Sequence, residues 1–210
     1  MKNDASADNQ LLEAKPIPTQ ARALAKRQAL LEAAAADFQT LGYDNTTAKT
    51  IAERAEVATG TFYQYFHNKD DILRTIAQQR FDYLFTQVEG PVEKVSAADA
   101  VTLFRRVLSL IYDFHARDAE LHQVLEQRRH CDLQLATLLS EGEAVLEQRV
   151  LQFVQTFEVD QPDTVAFNLF AMAEGIVHRH VFAHSTTSGI EREDVIELGA
   201  QMLASYFSNR

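Results

Sequence analysis

The sequence predicts an all-α protein. Apolar residues recur at helical spacing in segment after segment from Thr19 to Ser208. Only 7 Gly and 4 Pro occur in 210 residues, too few for a turn-rich β fold. Gly42 and Gly90-Pro91 each end a periodic segment. An apolar content of 46 % with 24 % charged residues suits a globular chain long enough to bury a substantial core.

Residues 1–18 lack periodicity, end in Pro16 and Pro18, and read as a disordered arm whose only cations are Lys2 and Lys15. The first helix is expected over Thr19 to Leu41, with Leu24, Ala25, Leu31, Ala34, Ala35 and Phe38 facing inward and Gly42 as its stop. Arg22, Lys26 and Arg27 make its start basic, which suits a phosphate contact or a solvated face equally. A second helix, Thr47 to Ala55, puts Ile51, Ala52 and Ala55 on one side. A third, about Ala58 to Phe66, has Phe62 and Phe66 at i, i+4, and Val57 plugs the turn between the two. Asp70 to Glu89 continues as a long helix, with Asn68 and Asp71 placed as a capping box that fixes where Lys69 points. The body follows as helices over Ser96–Arg117, Asp118–Arg128 and Asp132–Phe157, then from an Asp160 cap to His184, and over Ile190–Ser208 after a Ser185–Gly189 loop.

Two short helices around a tight turn, the second polar outside, form a helix-turn-helix. In that motif the second helix enters the DNA major groove and the first crosses the backbone. Ala58, Thr59, Gly60 and Thr61 are small and allow close approach; Tyr63, Gln64 and Tyr65 can reach phosphates or base edges. Thr47, Ala48 and Lys49 open the backbone-crossing helix, and Lys69 opens the next one, where free N–H groups also favour phosphate.

The run from Leu30 through Leu73, with Gly42-Tyr43, Thr46-Thr47, Ile51-Ala52, Val57, Gly60-Thr61-Phe62-Tyr63, Phe66 and Lys69, resembles the N-terminal domain of TetR-family transcriptional regulators. The resemblance implies an N-terminal three-helix helix-turn-helix domain joined by a continuous helix to a C-terminal helical ligand-binding and dimerisation domain. The expected boundaries are 1–18 for the arm, 19–68 for the DNA-binding domain and 69–210 for the rest. It also implies a homodimeric repressor that binds a pseudopalindromic double-stranded DNA operator and is released by a small-molecule effector. Arg22 joins Thr47, Ala48, Lys49, Ala58, Thr59, Gly60, Thr61, Tyr63, Gln64, Tyr65 and Lys69 as an expected DNA contact. Many members carry Gly where this chain has Glu56, and a left-handed Glu56 would cost about 1–2 kcal/mol. Many also carry Lys at Thr59 and His at Tyr65, which bears on operator sequence.

Charge divides along the chain. Residues 15–80 hold nine Lys/Arg against seven Asp/Glu, a balance of +2; the remainder holds eleven against twenty-three, a balance of −12. An acidic body repels DNA and leaves the basic end to approach it. One Cys, Cys131, fits a cytoplasmic protein without a disulfide framework. The N-terminus has no signal-peptide pattern, and no apolar run approaches the roughly 20 residues that span a bilayer.

In the body, Phe81, Phe85, Phe104, Tyr112, Phe153, Phe167 and Phe170, with His115 and His122 as polar anchors, are expected to line an apolar effector pocket, or else simply to pack. The last two helices are the family's dimer interface, and Ala171, Ala173, Gly175, Gly199 and Ala200 would permit close approach there. His180 and His184 share a spacing that can chelate zinc, with His178 nearby, yet no further ligand is obviously placed. No catalytic constellation, cofactor motif or metal motif stands out. A partner-binding protein of this fold without operator binding, or a small all-α metal-dependent enzyme, are the rival readings.

Overall fold

The structure, a computed structural model, describes residues 15–92, 96–183 and 189–208. Among these residues it forms nine α-helices and no strand: α1 Ala21–Asn45, α2 Ala48–Arg54, α3 Thr59–Tyr65, α4 Lys69–Val88, α5 Ala97–Ala116, α6 Ala119–Arg129, α7 Leu133–Val154, α8 Pro162–Phe182 and α9 Arg192–Ser208. The chain divides into two compact units, one of Met1–Arg80 with Gln123–Leu139, the other of Phe81–His122 with Ser140–Arg210.

The first unit is built on Leu30, Leu31, Phe38, Ile51, Phe62, Phe66, Ile72 and Leu73, each at most 2 % exposed. Burying one such side chain contributes about 1.5–3 kcal/mol. α1 is longer than expected. Gly42 leaves helical geometry at φ 73°, ψ 176°, but the chain makes one more turn to Asn45. Leu24 and Ala25 are exposed, so the buried stripe of α1 begins only at Leu30. Asp37 is buried on that stripe and is paired with Arg54 of α2 at 2.5 Å, an ion pair that joins the two helices.

The second unit centres on α5, α8 and α9. Phe104, Phe153 and Phe207 form a ring cluster with centroids 5.5–6.1 Å apart. Phe157 lies past the end of α7, which stops three residues earlier than expected, and still packs on Phe207 at 4.4 Å. Gly199 lies against α5: a Cβ there would sit 3.1 Å from a Leu108 methyl. Together with buried Ala173 and Ala200 it packs inside this unit rather than on an open face, a correction to the interface role expected of those three. Ala171 and Gly175 are exposed. α8 is not capped by Asp160. Its N-cap is Gln161, in left-handed geometry at φ 55°, with Pro162 in the first turn. Val145 on α7 is 47 % exposed. α9 begins at Arg192, two residues after Ile190. Residues 184–188, most of the expected loop and His184, lie outside the described residues, as do residues 1–14 of the expected arm. No helix among the described residues is long and apolar enough to cross a membrane.

Candidate functional site

α2 starts where a reciprocal cap can form. The Thr47 hydroxyl accepts from the Thr50 N–H at 3.1 Å, and the Thr50 hydroxyl accepts from the Thr47 N–H at 3.0 Å. Two of the orphan donors at the helix start are thereby satisfied. α2 ends in a Schellman turn. The Val57 N–H donates to Ala52 O and the Glu56 N–H to Glu53 O, with Glu56 at φ 54°. The left-handed position expected of Glu56 is therefore present, occupied by a residue with a Cβ.

α3 leaves that turn with its apolar side inward. Phe62 is 0 % and Phe66 1 % exposed, with ring centroids 5.8 Å apart. Thr59, Gly60, Tyr63 and Gln64 are exposed on the other side, beside exposed Ala58, while Thr61 and Tyr65 are half-buried. A Cβ built on Gly60 meets nothing within 4 Å, so the missing side chain leaves the outer surface open. Thr47 and Lys49 are exposed and Ala48 half-buried; Lys49 reaches Glu53 at 3.7 Å, a weak surface pair. Arg22 is exposed near the start of α1.

Lys69 is more occupied than its sequence position suggests. Its Nζ donates to Tyr43 O at 2.9 Å and Thr46 O at 3.3 Å and sits 3.9 Å from the Tyr43 ring centre. It thus caps the C-terminal carbonyls of α1, and one of its three donors remains. The Asn68–Asp71 cap is half formed. Asn68 Oδ1 accepts from the Asp71 N–H at 2.9 Å, whereas the Asp71 carboxylate takes the His67 N–H at 2.8 Å. The Tyr43 ring has Arg128 on it as well, at 4.0 Å, and its hydroxyl donates to Asp70. Burial, reinforced by that carboxylate, holds the Tyr43 hydroxyl well above its ordinary pKa. Lys15, expected in the disordered arm, donates to the Tyr63 carbonyl and so anchors the chain to α3. A lone lysine before two prolines carries no signal of such a contact.

The profile that describes bacterial regulatory proteins of the tetR family matches residues 30–76. These residues run from within α1, through α2 and α3, into α4. The N-terminal segment of the chain is thus similar to tetR-family regulators. It is 30 % identical over 118 residues to the fatty acid metabolism regulator protein of Bacillus subtilis, covering 55 % of this chain and 59 % of that one. It is 39 % identical over 80 residues to the HTH-type transcriptional regulator HbdR of Aromatoleum sp., covering 35 % of each. The matched part thus spans less than two thirds of these relatives' length. A likeness of fold to solved regulators extends over most of the chain. A transcriptional regulator from Rhodococcus sp. superposes with a TM-score of 0.71 at 15 % identity, over 87 % of this chain and 96 % of that one. The fatty acid degradation regulator FadR of Bacillus halodurans superposes with a TM-score of 0.64 at 19 % identity, over 85 % and 94 %.

In the body of this protein, the expected pocket residues fall into separate groups. Phe104, Tyr112 and Phe153 belong to the buried core of the second unit. Phe81 stacks with Phe85 at 5.7 Å and meets Phe114 at 6.1 Å. His115 and His122 lie edge to face at 4.5 Å, joined by His178 and Phe182. Phe170 is half-buried, and Phe167 is 64 % exposed. His180 turns away from the histidine cluster, toward the Ile190 carbonyl at 2.9 Å and the Tyr112 ring. Glu174, one turn before His178 on α8, pairs with His115 at 3.0 Å, a partnership across 59 residues that spacing could not reveal.

Proposed function

We propose that this protein is a cytoplasmic, homodimeric, ligand-responsive repressor that binds a pseudopalindromic DNA operator through residues 19–68 and receives its effector and its partner subunit through residues 69–210. The observation that carries the reading is the outer face of α3. Thr59, Gly60, Tyr63 and Gln64 are exposed together on a helix whose other side is anchored by two fully buried phenylalanines. A small domain with one helix pinned from below and bare, polar and close-approaching above suits the major groove. Thr47, Lys49, Arg22 and the third donor of Lys69 supply phosphate contacts that position it.

A second observation supports the dimer. Leu198, Met202 and Tyr206 recur every four residues on α9 and are 60, 53 and 36 % exposed. Phe167 and Met172 on α8 are 64 and 41 % exposed. Apolar residues in such register belong against another surface. A symmetric pair places two recognition helices on half-sites about 34–36 Å apart, one helical turn of DNA. The relatives named as fatty acid regulators support an effector that carries an apolar chain. The test is footprinting on DNA upstream of the protein's own coding region at two salt concentrations. A protected palindromic site whose affinity falls steeply with salt supports the proposal. A folded dimer that protects no DNA in a genome-wide selection would overturn it in favour of a partner-binding protein.

A further inference from the structure

We infer that the second unit binds a small organic cation, an ammonium-bearing ligand, at Tyr112, His115 and Glu174. The inference rests on the reading of the body as an effector domain and specifies what that domain takes. Tyr112 and His115 stand at i, i+3 on α5 and so share a face. They are 2 % and 4 % exposed. The Tyr112 hydroxyl and the Nδ1 of His115 are both buried without a hydrogen-bond partner. Two orphaned polar atoms one turn apart on one helix are unusual, because buried polar groups are nearly always paired.

The direction of the missing bonds follows from Glu174. Its carboxylate can only accept, so His115 Nε2, 3.0 Å away, carries the hydrogen. In the neutral ring Nδ1 is then a bare lone pair. Glu174 itself is 32 % exposed along its side chain, and His115 is its one recorded partner among the described residues. The site thus offers two acceptors, one of them a carboxylate, and one hydroxyl. A ligand that donates hydrogen bonds and carries positive charge meets both acceptors and balances the carboxylate. A carboxylate ligand would face a negative charge and a lone pair. Ring faces and edges gather around His115: His122 at 4.5 Å, and His178 and Phe182 each at 6.1 Å. Such faces attract cations. Arg192, 5.1 Å from the Tyr112 ring centre, already has its charge matched by Asp113 at 2.8 Å. A metal ion does not suit the cluster, since no group of three His, Cys, Asp or Glu side chains among the described residues is arranged to hold one.

The experiment compares three probes of one chain length, octylamine, 1-octanol and octanoate, on the full-length protein. Binding is read by calorimetry and by the shift in Tm, at a pH of about 8 where the amine is protonated and an ordinary His is neutral. Octylamine should bind saturably, more tightly than 1-octanol, and octanoate should not compete. Glu174→Gln, with an unchanged helical spectrum, should weaken octylamine about tenfold and narrow its margin over 1-octanol. His115→Phe, which keeps the ring volume, should also weaken the amine. Absence of saturable amine binding, equal binding of amine and alcohol, tighter binding of octanoate, or an unaffected Glu174→Gln variant would each overturn the inference. DNA is absent from these measurements, so failure to find an operator leaves the result readable. Amine binding without any change in operator affinity would instead sink the effector reading and leave the site standing.

Discussion

Gln64 and Lys49 should separate the two ways a protein holds DNA. Gln64 is exposed on α3, where its amide can pair with an adenine edge. Gln64→Ala is expected to cost about 1–3 kcal/mol against the preferred base and to leave the salt dependence unchanged. Lys49, exposed on α2, has only a loose pair with Glu53. Lys49→Ala should weaken all sequences alike and lower the salt slope by about 1. Fluorescence anisotropy on matched and mismatched duplexes at several salt concentrations reads both. Glu56 tests a different quantity. Its left-handed backbone costs about 1–2 kcal/mol, while glycine's extra unfolded-state freedom returns about 0.5–1. Glu56→Gly should therefore raise Tm by a few degrees without altering operator affinity, as a thermal melt would report. Tyr112 is pushed up to about 12 by burial, with Arg192 opposing. A raised folded-state value means that its contribution is complete below the ordinary tyrosine value and is lost as pH rises through the folded one. Stability should fall between about pH 10 and 12, and Tyr112→Phe should flatten that fall in an alkaline melt series.

Helices were largely legible because each carries its own local evidence. The helix expected from Ser96 begins at Ala97, with the Ser96 hydroxyl accepting from the Asp99 N–H at 3.2 Å. The ends of α2 and α3 were readable from the turn between them, since Phe62 and Phe66 can bury only if α3 begins near Ala58. What was illegible depends on partners distant in sequence. Nothing near Lys69 says that its ammonium will find the carbonyls of Tyr43 and Thr46, 26 and 23 residues earlier. Glycines look alike in sequence, yet Gly199 yields to Leu108 inside the protomer while Gly60 faces open space. The aromatic residues share helical spacing whether they pack or line a pocket, so the sequence could not divide Phe104 and Phe153 from the His115 cluster. Local evidence also fixes how α2 should respond to damage. Thr47→Ala removes the half of the reciprocal cap that accepts the Thr50 N–H and should destabilise the domain by about 0.5–2 kcal/mol. A lowered Tm with retained helical content would confirm a capping loss. Thr47→Asp, which can still accept the Thr50 N–H, should restore most of it.

For the whole molecule, the decisive quantity is what covers α8 and α9. A chain that buries Leu203, Ala204 and Phe207 to 3 % or less on α9 leaves Leu198 at 60 % and Met202 at 53 % on the same helix. Helix geometry makes this a two-sided element, one side for the protomer core and one unpartnered. Were that face only solvated, replacing its apolar residues by charges would be nearly neutral. If two copies meet there, a pair of Leu198→Glu substitutions brings like charges into a desolvated contact, at a cost of several kcal/mol. The variant is therefore expected to sediment as a folded monomer at concentrations where the wild type is a dimer. Its operator affinity should fall toward that of a single half-site, because one recognition helix makes too few base contacts for useful specificity. Met202→Gln, a milder change, should shift the dimer dissociation constant without abolishing association. A Leu198→Glu protein that remains dimeric and binds its operator fully would place the subunit contact elsewhere on the chain.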